Sequence, residues 1–345
     1  MANLNEVLIR TVFDEMLKHK TSLSKMVISE DDEDELPDYR ILADLIIKNF
    51  PWPIGVELRR LFSGSMRLFD RMRLDQIFKT IERSMQFLSF VMLSQFVKAK
   101  LEGDLVVPEN FVNEFRNRFF VLSLGSFSWM IRAIGNLFEE QKIEWFMPEM
   151  AYCFDSKFYS ALDFWVPERN EIGHYQINLT QEDIEKRCVE YEEKLTFILQ
   201  RISFLARYKL VSVKEIKVIK SKIKEATFHH VVDLLNSSDS DFRANEFDEP
   251  SYTESHSVLL LKNINTIAEY LNLSPLIIDT STEILDSKEK FDIKKDIFMY
   301  SKFRNDQLMY LGTEVTEKID LRSLKNYETL LMEFKQLLSA VSVDA

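Results

Sequence analysis

Apolar residues recur three and four positions apart from Asp38 to about residue 225, a spacing that predicts a mostly helical stretch. Leu42, Leu45, Ile46 and Phe50 mark one helix over 38–49, which Pro51 and Pro53 stop, and another follows over 55–63. The longest pattern covers 68–100. There Leu74, Ile77, Phe78, Ile81, Met85, Leu88, Val91 and Met92 form a continuous apolar stripe suited to the middle of a bundle. Further helices are predicted over 1–27, 108–119, 126–141 and 181–208, the last opened by the capping signature Thr180-x-x-Asp183. Beyond residue 225 the pattern changes to short β-rich runs, such as FHHVVDLL, HSVLLLK, KDIFMYS and QLMYLGT, with Asn305-Asp306 as a hairpin turn. The polar, acidic stretch 237–255 reads as a loop, and NYETLLMEFKQLLSAV as a closing amphipathic helix. The predicted fold class is α+β: a helix and acidic linker over 1–37, an all-α bundle over 38–225, and a small β-rich α+β domain over 226–345.

Composition narrows the chemistry. The 345 residues are enough for two domains, and 27 phenylalanines point to aromatic cores. Seven glycines, none grouped into a phosphate-cradling loop, rule out a Rossmann fingerprint or a P-loop. Cys153 and Cys188 are too few for a disulfide framework or a CxxC zinc site, and read as reduced core thiols. The five histidines lack helical zinc spacing, and His229-His230 would face opposite sides of a strand, so neither a metal nor another cofactor is expected. The first twenty residues mix acids and bases, unlike a signal peptide, and no apolar run is long enough to span a bilayer; a cytoplasmic protein with no membrane partner is expected.

The formal charge of −12 counts against DNA binding, which needs clustered Lys and Arg. The charge is uneven, however. Six consecutive acids occupy Glu30–Glu35, while basic residues gather at Arg59, Arg60, Arg67, Arg71 and Arg73, and again at Arg201, Arg207, Lys209, Lys214, Lys217 and Lys220. These clusters read either as solvated helix faces or as a positive wall that guides RNA.

One short stretch concentrates chemistry: Arg169-Asn170-Glu171-Ile172-Gly173-His174. Arginine offers a permanent planar cation that forks onto phosphate oxygens. Histidine gives or takes a proton near neutral pH. Asparagine bonds a ribose hydroxyl or holds the histidine ring. On an unbroken helix Arg169 and His174 would lie about 140° apart, whereas Asn170 and His174 would share a face. Pro167 is expected to open the turn carrying the motif. Gly173 is expected to end the helix, so that His174 points back toward Arg169.

The segment PERNEIGHY, followed by a capped helix and LQRISFLARYKLVSV, resembles the last part of a HEPN domain. The earlier NFPWPIGVELRRLFSG and RLDQIFKTIERSMQFLSFVMLSQF add to the likeness, which covers residues 38 to 215 and is similar to the enlarged helical HEPN modules of bacterial defence proteins. The Arg-Asn-x3-His motif is its specific part. The resemblance implies a metal-independent endoribonuclease, a toxin or effector in anti-phage defence, acting on RNA as a homodimer whose paired motifs line one cleft. His174 would be the general base or acid, Arg169 would hold the scissile phosphate, and Asn170 would orient phosphate or ring. Tyr175 is a neighbouring packing residue and Glu171 a solvated one. The β-rich domain would be a regulator, open to a protein partner. The alternative is a non-catalytic HEPN interaction module serving as an adaptor.

Overall fold

The computed structural model describes residues 5–27, 37–174, 179–235, 243–280, 296–314, 322, 324 and 326–342. The acidic run Glu30–Glu35 and Tyr175 lie outside them. The chain is α+β, with helices first and sheets after. In order come α1 (Glu6–His19), α2 (Tyr39–Asn49), α3 (Trp52–Leu61), α4 (Arg71–Glu102), α5 (Glu109–Phe119), α6 (Leu124–Gln141), α7 (Met150–Cys153), α8 (Ser156–His174) and α9 (Gln181–Arg201). The strands are β1 (Lys209–Ile219), β2 (Thr227–Leu234), β3 (Arg243–Glu249), β4 (Val258–Leu261), β5 (Tyr270–Asn272), β6 (Ile277–Asp279), β7 (Ile297–Arg304) and β8 (Gln307–Gly312), followed by α10 (Tyr327–Ala340).

The chain divides into two compact units that interleave along the sequence. One takes Met1–Met85 with Pro148–Tyr208; the other takes Gln86–Met147, Lys209–Leu235 and Asp239–Ala345. In the first unit, Asp38 caps α2 by accepting from the Arg40 amide at 2.9 Å. α2 ends at Asn49, just before Pro51 and Pro53 as expected, but α3 begins at Trp52 and not at 55, with Pro51 as its cap and Pro53 in its first turn. The first turn needs no amide donors, so proline costs nothing there. Gly55 allows α2 and α3 to meet, since a Cβ there would stand 2.6 Å from the Ile47 carbonyl oxygen. Leu8, Ile9, Val12, Phe13 and Met16 bury one face of α1, and Leu195, Ile198 and Leu199 one face of α9.

The second unit carries both sheets. One is five-stranded and antiparallel in the order β3-β2-β1-β4-β5, the other three-stranded in the order β6-β7-β8. Val211, Val213, Val232, Phe247, Leu259, Leu261 and Ile267 form a core on the larger sheet. A second core is aromatic: Phe115 stacks on Phe119 at 4.5 Å, and Phe119 meets Tyr300 of β7 at 5.0 Å and Phe334 of α10 at 5.7 Å. Residues 120–122 run beside β7 through Leu122 N–H to Ser301 O and Phe303 N–H to Phe120 O. Helical sequence before residue 147 is therefore built into the strand-bearing unit.

Three elements depart from the sequence reading. α9 ends at Arg201 instead of 208, and β1 begins at Lys209, inside the stretch expected to be helical. β3 occupies Arg243–Glu249, within the expected loop, and pairs along its length with β2. The hairpin turn at Asn305-Asp306 is where expected, both residues having positive φ (52° and 56°) that short polar side chains tolerate best. Cys153 and Cys188 are free and buried. His230 is buried and His229 only partly so, on opposite faces of β2.

Candidate functional site

The motif belongs to α8, in the first unit. Asp155 begins that helix by accepting from the Phe158 amide at 2.9 Å, a bond that lowers the Asp155 pKa. α8 then runs through Pro167 without a break and ends at His174. The expected turn at Pro167 is therefore not formed. Proline in a helix interior removes one amide donor and costs about 3 kcal/mol. Trp165, fully buried two residues earlier, offsets that: its ring meets Phe78 of α4 at 5.6 Å and Tyr191 of α9 at 5.5 Å. Losing such a side chain from a core costs about 3–5 kcal/mol.

Polar contacts then fix the rotation of α8. Arg187 of α9 donates to Glu171 at 2.6 Å, to Glu168 at 3.3 Å and to the Tyr191 hydroxyl at 3.0 Å, while Tyr191 donates to Glu168. Burial, then the bond to Glu168, pushes the Tyr191 phenol well above its ordinary range. Glu171 is thus a clamp residue on the α9 side rather than only a solvated neighbour.

Arg169 reaches toward α4. Its Nε stands 3.6 Å from Glu82 Oε2, and its side chain is 49% exposed. Asn170 is exposed as well. Residues 172–174 are described by their backbone alone. That backbone stays helical through Gly173, so the helix does not end before His174 as expected. Positions 170 and 174 therefore share a helix face, and position 169 lies about 140° around from 174. A single α8 presents the cation on one flank and the amide and histidine positions on another.

The expected basic wall is largely paired off. Arg60 bonds Glu57, Arg71 bonds Asp75, Arg201 bonds Asp155, Arg207 bonds Glu149, and Lys217 bonds Glu215. Arg73 is fully buried between Asn5 and Glu192. Lys214 bridges Asp279 at 2.6 Å and Asp233 at 3.3 Å in the other unit. Most of these cations are engaged with carboxylates of their own unit.

Glu82, Glu168 and Arg187 are the residues near the motif that sequence reasoning missed. Glu168 touches the motif in sequence, but Glu82 and Arg187 reach it only through helix packing. No group of three or more His, Cys, Asp and Glu among the described residues could hold a metal ion, and none of their helices is long and apolar enough to cross a membrane. No family model, curated protein or solved structure matches this chain.

Proposed function

We propose that the chain is an endoribonuclease of the HEPN type that needs no metal, with its site completed when two copies pair. The observation that carries this reading is that Arg169 and Asn170 are exposed on a helix held on two sides. α8 is fixed by Trp165 and by the Arg187 clamp, while among the described residues the ion pair of Arg169 is a long, solvent-exposed one to Glu82. Exposed pairs of that kind contribute about 0–1 kcal/mol, so a phosphate can take Arg169 from Glu82 at little cost.

In this reading Arg169 binds the scissile phosphate and stabilises the charge that grows on its oxygens. His174 takes the proton from the ribose 2′-hydroxyl or delivers one to the leaving 5′-oxygen, and Asn170 orients the phosphate or the ring. Attack by the 2′-oxygen on phosphorus expels the 5′-oxygen, leaves a 2′,3′-cyclic phosphate, and spares DNA. Positions 169 and 174 lie on different flanks of one helix, which favours a site shared between two copies. The natural setting is a toxin or effector in bacterial defence, in the cytoplasm, with the β-rich region or a protein partner as regulator.

The test is RNA cleavage by purified protein in EDTA. Cyclic-phosphate product is expected, with His174→Ala lowering the rate by about 10²–10⁴-fold. Cleavage equal in wild type and variant would sink the proposal.

A second reading, a non-catalytic interaction module, rests on the same contacts: Arg169 pairs with Glu82, and Arg187 engages Glu168 and Glu171, so the motif's charges also serve helix packing. An absence of cleavage over a broad RNA panel, together with no toxicity of the helical segment in cells, would favour it.

A further inference from the structure

The β1–β2 hairpin of the second unit runs out past the rest of its sheet. β4 pairs with β1 only as far as Ser212, and β3 pairs with β2 no further than Phe228. The two strands of the hairpin nevertheless stay paired out to Ile219 and Thr227. Residues 219–226, with the sequence IKSKIKEA, therefore close the hairpin beyond the sheet. Ser221 Oγ accepts from the Lys224 amide at 3.1 Å, which ties the turn around Ile223.

This tip is apolar and basic at once. Ile223 is 96% exposed, Val218 64% and Ile219 50%. A single exposed aliphatic side chain is ordinary, but three within six residues at the end of one projection form a patch. Lys220, Lys222 and Lys224 are interspersed with them, exposed, and without an ion pair among the described residues. Further back, Lys217 is already held by Glu215 at 2.7 Å. Glu225 is the one carboxylate within 219–226, so the tip keeps a surplus of positive charge in a chain whose formal charge is −12. Behind the tip, Val218 pairs across the strands with Phe228, whose ring meets that of the exposed Tyr252 at 5.3 Å.

We propose that this hairpin tip binds the surface of an anionic lipid bilayer. The lysines meet the lipid phosphates, while Ile223 and its aliphatic neighbours leave water for the headgroup region. Tyr252 adds an amphipathic ring of the kind that favours the membrane–water boundary. The aliphatic side chains decide between lipid and nucleic acid. Lysines alone would serve the phosphates of either, but base stacking calls for aromatic or arginine planes, and 219–226 has neither. Such contact is peripheral and needs no crossing helix, the only kind of membrane attachment that the apolar runs of the sequence speak to. None of these residues lies on α8 or α9, so the proposal stands apart from the nuclease reading.

The test is flotation of the full chain with vesicles of phosphatidylcholine alone and of phosphatidylcholine with phosphatidylglycerol in equal parts. Binding to the mixed vesicles and not to the neutral ones is expected, weakening as salt rises. The triple variant Lys220→Gln/Lys222→Gln/Lys224→Gln is expected to lose at least about tenfold in affinity. Ile223→Ser, which keeps every charge, is expected to lose several-fold. All four positions are exposed, so the urea midpoint of each variant should match that of the wild type and affinity reports the tip alone. No binding to the mixed vesicles, equal binding to both kinds, or an Ile223→Ser chain that binds like the wild type would overturn the proposal. An RNA oligonucleotide that binds through the same three lysines while vesicles do not would assign the hairpin to nucleic acid instead.

Discussion

Arg169 has two claims on its charge: Glu82, 3.6 Å away, and any phosphate that approaches. Glu82→Gln removes the first claim. The expected result is RNA affinity raised by a few-fold in filter binding, since the lost ion pair is worth about 0–1 kcal/mol; lower affinity would show that Glu82 positions the arginine instead. Gly55 shows a different kind of residue-scale constraint. By helix propensity alone, Gly55→Ala should stabilise α3 by about 1 kcal/mol. A methyl group 2.6 Å from the Ile47 carbonyl reverses that sign, and a lower urea midpoint is expected. The motif residues were legible because their chemistry is their own. Glu82 and the need for glycine at 55 were not, because each depends on a neighbour brought close only by helix packing.

At the scale of elements, capping and periodicity carried most of the information. The signature Thr180-x-x-Asp183 does form a reciprocal capping box at the start of α9: Thr180 Oγ1 accepts from the Asp183 amide and Asp183 accepts from the Thr180 amide, both at 3.2 Å. Thr180→Ala is expected to cost about 1 kcal/mol in denaturant unfolding. The α2, α4, α5 and α6 patterns were likewise visible, their apolar stripes matching buried faces. The misreadings share a cause. KLVSVKEIKVI fell inside the stretch read as helical, and its pairing with β2 and β4 made it a strand. RANEFDE has almost no apolar signal, yet forms β3 because β2 offers it a full register of backbone partners. Pro167 sits inside α8, two residues beyond the fully buried Trp165.

For the whole molecule, the shared-site reading makes a sharp prediction. Arg169→Ala and His174→Ala chains, each inactive alone, should recover part of the cleavage when mixed if each site draws its cation from one copy and its histidine from the other; mixing without recovery would place both groups within one chain. A second prediction concerns pH. Burial pushes Cys153 and Cys188 from near 9 to about 11. Groups whose folded pKa lies above the unfolded value contribute stability fully present below about pH 9 and lost as pH rises toward 11, because the unfolded chain then binds fewer protons. The buried phenols of Tyr191, Tyr300 and Tyr310 act in the same direction. Urea midpoints are expected to fall between pH 9 and 11, and thiol reagents to label both cysteines only on unfolding.

The sequence by itself determined the α+β class, most helix positions, the hairpin turn at Asn305-Asp306 and the burial of the thiols. These follow from periodicity, capping and polarity, which act over a few residues. Only the tertiary structure decided which residues join which compact unit and which arginines are engaged in ion pairs. Those outcomes depend on groups far apart in the chain competing for the same partners. That competition is settled by packing, where a nearby carboxylate neutralises a cation that the sequence alone presents as free.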